Sequence, residues 1–202
     1  MAYEIQRIIS GKSQVRYGAN IYAAISYLTS SAKSGALDKT DKRFKHEETE
    51  RLKTYVESKN LWIKDIDLNN YISEGAEQKV YLKDGSSVIK LNDAIYYLSW
   101  IDYFINLLLN NYFFPDTACN LLGFFENENV VYAVIEQSFV KADEKTDLHF
   151  VEQFMNSNGF KKIRNNDYYN SELGIILEDL HDENVLTSNG ILYFIDTVFY
   201  LK

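Results

Sequence analysis

A single cysteine, Cys119, excludes an internal disulfide, and its apolar neighbours in "TACNLLGFF" mark it as a small core residue. Three scattered histidines, His46, His149 and His181, do not supply the spacing of a zinc triad. No run of about 18 apolar residues is present, and "INLLLNNYFF" is broken by Asn110 and Asn111, so no membrane span is expected. The opening "MAYEIQRIISGKS" places Glu4 and Arg7 where a secretory signal needs an apolar core. Basic charge is also short: 21 Lys and Arg stand against 29 Asp and Glu, a net charge of −8 that argues against a nucleic-acid partner. The basic cluster Lys39–Lys45 is surrounded by acids. What is abundant is core material, with 46% hydrophobic and 15% aromatic residues, ample for an ordered domain or a domain with an appendage. The expectation is a soluble protein of a reducing, cytoplasmic compartment.

Residues 1 to about 60 read as helical. "NIYAAISYLTSSAKSG" spaces Ile21, Ala24, Ile25 and Leu28 on one face, and "HEETERLKTYVESKN" does the same with Leu52, Tyr55 and Val56. The period changes near residue 70. "KVYLKDGSSVIKL" is two β-rich runs joined at Asp84–Gly85, a hairpin signal. "DAIYYLSWIDYFINLLLNNYFF" predicts a mostly buried helix from Asp93, closed by Pro115. A second hairpin turns at Asn127–Glu128–Asn129. A helix follows, capped at Thr146 or Asp147 and stopped by Gly159, and a third hairpin turns at Ser188–Asn189–Gly190. This order predicts an α+β fold with antiparallel sheets.

Between the last helix and the last hairpin lies "LEDLHDENVL", which crowds Glu178, Asp179, Asp182 and Glu183 around His181. Either it is a solvated turn or a cation offsets the repulsion. Asp179 and Asn184 form D-x-x-x-x-N. With 14 Asp and 18 Asn in 202 residues, chance gives about one such spacing, and a second stands at Asp65–Asn70. The following hairpin adds context. With Ser188–Asn189–Gly190 as its loop, Asn184 faces Phe194. Asp196 then lies diagonally across on the same face, roughly 7–8 Å away at the backbone. An amide oxygen and a carboxylate oxygen there suit Mg²⁺, which keeps several waters.

"LEDLHDENVL" followed by "YFIDTV" resembles the catalytic and metal-binding loops of protein-kinase-like and aminoglycoside-phosphotransferase-like enzymes. The resemblance implies Asp179 as the base orienting the attacking hydroxyl, with Asn184 and Asp196 as magnesium ligands. "EGAEQKVYL" is similar to a reduced glycine-rich loop, with Gly75 over the phosphates. "SVIKL" resembles the strand carrying the ATP-contacting lysine, here Lys90, and Asp102 on the next helix is taken as its acid partner. "VVYAVIEQSFV" resembles the hinge strand, implying adenine contacts from the backbone of Glu136, Gln137 and Ser138. Residues 71–202 resemble most closely the kinase domain of polyvalent proteins of phages and conjugative elements, including "NDYY" at 166–169. The resemblance implies a minimal protein-kinase-like fold: an antiparallel N-lobe sheet at about 70–140, a reduced C-lobe at about 141–202, and residues 1–69 as a helical N-terminal extension. The implied cofactors are ATP and Mg²⁺, and the implied acceptor a protein or other hydroxyl compound.

The sequence departs from that pattern in three places. Glu178 stands where protein kinases usually place arginine, Thr197 follows Asp196 in place of Phe–Gly, and six residues follow Asp196. A severely reduced C-lobe without an activation segment is the expectation. The alternatives are a catalytically inactive, nucleotide-responsive pseudokinase, a nucleotidyl transferase, and a plain interaction protein.

Overall fold

The computed structural model describes residues 2–32, 42–67, 69–74 and 78–202. Three helices come first: α1 (Tyr3–Ile9), α2 (Gly18–Ser30) and α3 (Lys42–Ser58). Strands β1 (Tyr71–Glu74), β2 (Gln78–Leu82) and β3 (Ser87–Asn92) precede α4 (Trp100–Phe113), a 3-10 turn at Pro115–Thr117, β4 (Asn120–Asn127) and β5 (Val130–Ser138). After α5 (Leu148–Ser157) come β6 (Lys161–Arg164), β7 (Asp167–Asn170), β8 (Ile175–Glu178), β9 (Val185–Ser188), β10 (Ile191–Phe194) and β11 (Val198–Leu201). All strand pairs within the sheets are antiparallel, giving the α+β class expected. The chain divides into two compact units, one built from Tyr17–Leu107 and Cys119–Phe139, the other from residues up to Arg16, Leu108–Ala118 and Val140–Lys202.

The first unit is built on a five-stranded sheet in the order β1-β2-β3-β5-β4. Successive side chains of β3 point to opposite faces. On one face Leu91 packs with Tyr81 and Val134, covered by Ile63 and Ile66 from the segment before β1. That segment is fastened to β4: the Ile63 N–H donates to the Phe124 carbonyl at 2.8 Å, and the Phe124 N–H to the Leu61 carbonyl at 2.9 Å. A cavity of about 220 Å³ remains beneath it, bounded by Ile63, Ile66, Tyr81, Ile89 and Leu122. On the other face, shared by Lys90 and Phe124, Trp100 and Phe104 of α4 meet the Phe124 ring edge-on at 6.3 Å. Helices α2 and α3 belong to this unit. The Asn20 amide donates to the Leu121 carbonyl at 2.9 Å, and Lys53 pairs with Glu126 at 2.7 Å.

Helix α4 begins at Trp100, seven positions later than the apolar pattern predicts, and local polar groups explain the delay. Asn92 and Asp93 accept the N–H groups two residues on, at 2.7 and 3.0 Å, which turns the backbone away from the helix. The helix is then capped twice. Ser99 Oγ accepts the Asp102 N–H at 3.0 Å, and Glu48 of α3 accepts the Trp100 N–H at 2.6 Å. Lys45 of the same helix donates to the carbonyls of Ala94 and Tyr97. Burial pushes the Glu48 carboxyl above its ordinary value, partly offset by the N–H groups of Trp100 and Ile101. Asp102 consequently lies in the first turn of α4, not in mid-helix as the longer helix implied.

The second unit contains the four-stranded sheet β11-β8-β7-β6 and the two-stranded β10-β9. The residues after Asp196 supply β11, which registers along the whole of β8 from Glu178↔Val198 to Ile175↔Leu201. Val151 and Met155 of α5, Tyr168, Leu177, Leu180 and Phe194 are buried in its interior. Phe114 stacks on Phe194 with ring centres 4.2 Å apart, and Phe113 on Phe199 at 5.7 Å. Helix α5 is capped by Asp147, whose carboxylate accepts the His149 N–H at 2.8 Å, and it ends before Gly159 at φ +80°.

The hairpin turns follow their side chains. Glu128–Asn129 and Asn189–Gly190 each take two consecutive positive φ values (+50° and +64°, +52° and +71°), the tight turn whose twist matches antiparallel strands. Each loop is therefore two residues long, where three were expected. In the last hairpin Ser188 faces Ile191 and Val185 faces Phe194. The Asp84 carboxylate accepts from the Ser86 hydroxyl and from the N–H groups of Ser86 and Ser87, which hold its pKa at about 2.

Gly123 lies where the covering segment crosses β4, and a Cβ there would run into the Leu61 carbonyl oxygen. Gly123→Ala is expected to cost about 1–3 kcal/mol of stability by urea denaturation, the range for overpacking a close backbone approach. Gly85→Ala, whose Cβ would meet nothing within 4 Å, should be near neutral in the same assay.

Candidate functional site

The acidic stretch folds as a closed loop between β8 and β9. Its first residue, Asp179, has φ +68°, a left-handed backbone that costs an aspartate free energy unless its surroundings fix it. The anchors come from the "NDYY" segment. The Asp179 N–H donates to the Asp167 carboxylate at 3.2 Å, and the Leu180 N–H to the Asn166 carbonyl at 3.1 Å. Asp167 is itself paired with Arg164 at 3.3 Å.

Within the loop the Asn184 amide nitrogen donates to the Asp179 carbonyl at 3.0 Å and to its carboxylate Oδ2 at 3.1 Å. Two acceptors on the nitrogen fix which end of the amide is which and turn Oδ1 away from Asp179. The other carboxylate oxygen of Asp179 meets His181 Nε2 at 3.3 Å. His181 Nδ1 accepts the Glu183 N–H at 3.3 Å, and Nε2 also lies 3.3 Å from the Asn184 amide nitrogen. The Asp179 side chain nevertheless remains 59% exposed.

Asn184 and Asp196 are brought together, but not by the diagonal pairing expected. The two-residue turn shifts the hairpin register by one, which sets Asn184 beyond the last strand pair. Its carbonyl accepts the N–H groups of Ile195 at 2.9 Å and of Asp196 at 3.4 Å. The segment around Asp196 is held on both sides by buried hydroxyls. Thr117 Oγ1 donates to the Phe194 carbonyl at 2.5 Å, and Thr197 Oγ1 to Asn110 Oδ1 of α4 at 2.9 Å. Thr197, a departure in the sequence, thus has a structural role the sequence did not assign.

The remaining site residues lie in the other unit. Lys90 is 6% exposed on β3, in register with Val80 and Ile135. The cavity under the covering segment is bounded by Ile89 on the opposite face and is separate from Lys90. Glu136 registers with Ile89 on one side and Asn120 on the other, while β3 alone registers with Gln137 and Ser138, so β4 stops short of the strand's end. The Glu136 side chain pairs with Lys83, and the buried Gln137 amide approaches Cys119 Sγ at 3.5 Å. Gly75 lies outside the described residues.

Among the described residues no group of three or more His, Cys, Asp or Glu side chains is placed to hold a metal ion. The Asn184 amide oxygen and the Asp196 carboxylate are hard oxygen donors, a pair that fits a magnesium ion completing its shell with water and phosphate oxygens. Among the described residues no helix is long and apolar enough to cross a membrane.

Residues 45–202 match the family model described as serine/threonine/tyrosine kinase found in polyvalent proteins. The chain belongs to that family. Its α+β architecture is accordingly kinase-like, and the match takes in α3 as well as the sheet. No curated protein and no solved structure matches the chain.

Sequence reading missed three supports of the kinase-like loops: Asp167, Asn110 and Thr197. Only "NDYY" carried a signal, and its meaning depends on β7 lying beside β8.

Burial raises the Glu178 carboxyl above its ordinary 4.5, with the Asp167 and Asp179 charges adding to the rise and Arg164 opposing it. A raised folded-state value means that the native state binds this proton more tightly, so stability falls as pH rises through that value. Glu178→Gln should therefore be more stable than wild type at neutral pH, and denaturation curves should converge below pH 4.5. Thr197→Val, which leaves Asn110 Oδ1 without this donor, should cost about 1–3 kcal/mol, and Thr197→Ser should recover most of it.

Proposed function

We propose that this kinase-family chain is a phosphotransferase that binds Mg²⁺–ATP and transfers the terminal phosphoryl group to a hydroxyl of a protein or other acceptor. The observation that carries the reading is the Asp179 loop: a carboxylate, an amide with a fixed orientation and a returning aspartate, joined by hydrogen bonds through Asn184. In this reading Asp179 accepts the proton of the acceptor hydroxyl as its oxygen bonds to phosphorus and ADP departs. Asn184 and Asp196 hold the metal, which when bound neutralises phosphate charge. Lys90, with Asp102 as its acid partner, would contact the phosphates, Gly75 would belong to the same nucleotide site, and the backbone of Glu136, Gln137 and Ser138 would take the adenine. Phosphoryl transfer needs positioning and charge neutralisation more than covalent chemistry, so a reduced C-lobe is compatible with it. The family description, a serine/threonine/tyrosine kinase found in polyvalent proteins, supports a protein hydroxyl as acceptor; a mobile-element setting with a host or partner protein as acceptor in the cytoplasm is part of the same proposal.

The second reading is a pseudokinase that binds nucleotide without transfer. It is favoured by the engagement of both Asp179 carboxylate oxygens, one with Asn184 and one with His181.

A melting assay separates them from each other and from a protein without nucleotide. Mg²⁺–ATP at a hundredfold excess over Kd should raise Tm by about 5–10 °C. Asp196→Ala should remove the magnesium-dependent part of the rise. Asp179→Ala should keep the rise and abolish phosphate gain on the acceptor by mass spectrometry. No rise at millimolar nucleotide refutes both nucleotide readings, and a rise without transfer in the wild type leaves the pseudokinase.

A further inference from the structure

Asp179 keeps a left-handed backbone although a glycine there would adopt it without strain, and the chain spends a buried carboxylate on holding it. Asp167 is 8% exposed, sits at the start of β7, and gives one oxygen to the Asp179 N–H at 3.2 Å and the other to Arg164 at 3.3 Å. The neighbouring Asn166 carbonyl takes the Leu180 N–H at 3.1 Å. Two consecutive N–H groups of the loop are therefore fixed by two consecutive residues of another element, across the turn where the backbone reverses hand. Beyond the Arg164 pair, the Asp167 charge adds repulsion to an already acidic loop, contributing after burial to the raised Glu178 carboxyl. We infer that Asp167 is a positioning residue for Asp179, an anchor that holds position 179 in the left-handed region so that its carboxylate reaches Asn184 and His181 while staying exposed.

The inference deepens the proposed function, since it supposes that the Asp179 carboxylate has work to do; its physical core is independent of nucleotide. If Asp167 holds a strained backbone, the need for it disappears when residue 179 is glycine. The strain is carried at position 179 and the restraint at position 167, so the two substitutions must couple. Arg164 takes part only by orienting the Asp167 carboxylate, because its guanidinium bonds the oxygen that the Asp179 N–H does not use.

The test is a double-mutant cycle of Asp167→Ala and Asp179→Gly in the full chain, read as Tm without nucleotide, with hydrogen exchange at the residue 179 amide. Asp167→Ala should lower Tm by about 4–8 °C, Asp179→Gly should raise it by about 2–4 °C, and in the glycine background the Asp167→Ala loss should shrink by at least half. Asp167→Ala should speed exchange at the Asp179 amide about tenfold. Asp167→Asn, which keeps an oxygen acceptor, should restore protection of that amide, a result that a merely space-filling role would not give. Equal losses in both backgrounds, or unchanged exchange at residue 179, overturn the inference. If Asp167→Ala does not fold, Asp167→Glu, which displaces the acceptor by one methylene, takes its place in the cycle under the same criteria. Because no arm contains ATP, failure here is distinct from failure of the phosphotransferase reading, which the melting assay with Mg²⁺–ATP decides.

Discussion

The carbonyl of Asn184 accepts two N–H groups, those of Ile195 and Asp196, and the arrangement of the kinase-like loops depends on that fork. Asn184 is where the loop from Asp179 ends and β9 begins, and Ile195–Asp196 is where β10 ends. Joining them at one oxygen brings the aspartate back beside the loop it left a hairpin earlier. The side chain of the same asparagine reaches in the other direction, to the carbonyl and carboxylate of Asp179. One residue thus links the proposed base to the proposed metal-binding aspartate through its backbone on one side and its amide on the other. Aspartate at position 184 would keep the backbone fork but oppose a second carboxylate to Asp179, where the amide donates.

The buried hydroxyls around Asp196 complete that arrangement. Restraint on the Asp196 segment comes from the residues on either side of it. Thr117 takes up the Phe194 carbonyl and Thr197 anchors itself on Asn110, while Phe194 stacks on Phe114. Two hydrogen bonds and a ring contact fix the segment at residues 194 and 197 and leave 196 between them. The Phe–Gly pair that usually follows such an aspartate is absent, and a buried threonine bonded to a helix asparagine stands in its place.

Much of this was legible in the sequence. Hairpins announced themselves because Asp-Gly, Glu-Asn and Asn-Gly pairs satisfy local backbone demands with local side chains. The α5 cap at Asp147 and its stop at Gly159 are local in the same sense. What could not be read depended on distant partners. Helix α4 starts late because Glu48, some fifty positions earlier in the chain, supplies a cap to Trp100, and because Asn92 and Asp93 turn the backbone first. The apolar pattern over residues 93–99 was real but described a turn that leaves Ile95, Tyr96 and Leu98 exposed. The last hairpin was misregistered by one residue because Ser188 pairs where a loop position was expected, and a period-2 argument inherits any such error in full.

The crowding of acids before β9 is resolved by distribution more than by a single counter-ion. Asp182 pairs with Lys145 at 3.4 Å, Asp167 with Arg164, and Asp179 with Asn184 and His181, which leaves Glu178 to register its neighbours' charge through a raised pKa. Such a distribution suits the proposed reading, in which magnesium would arrive with the nucleotide and leave with the product. Repulsion among the acids is reduced by hydrogen bonds and ion pairs that also orient Asp179. A carboxylate so held is positioned and exposed, as the proposed role of Asp179 in phosphoryl transfer asks of it.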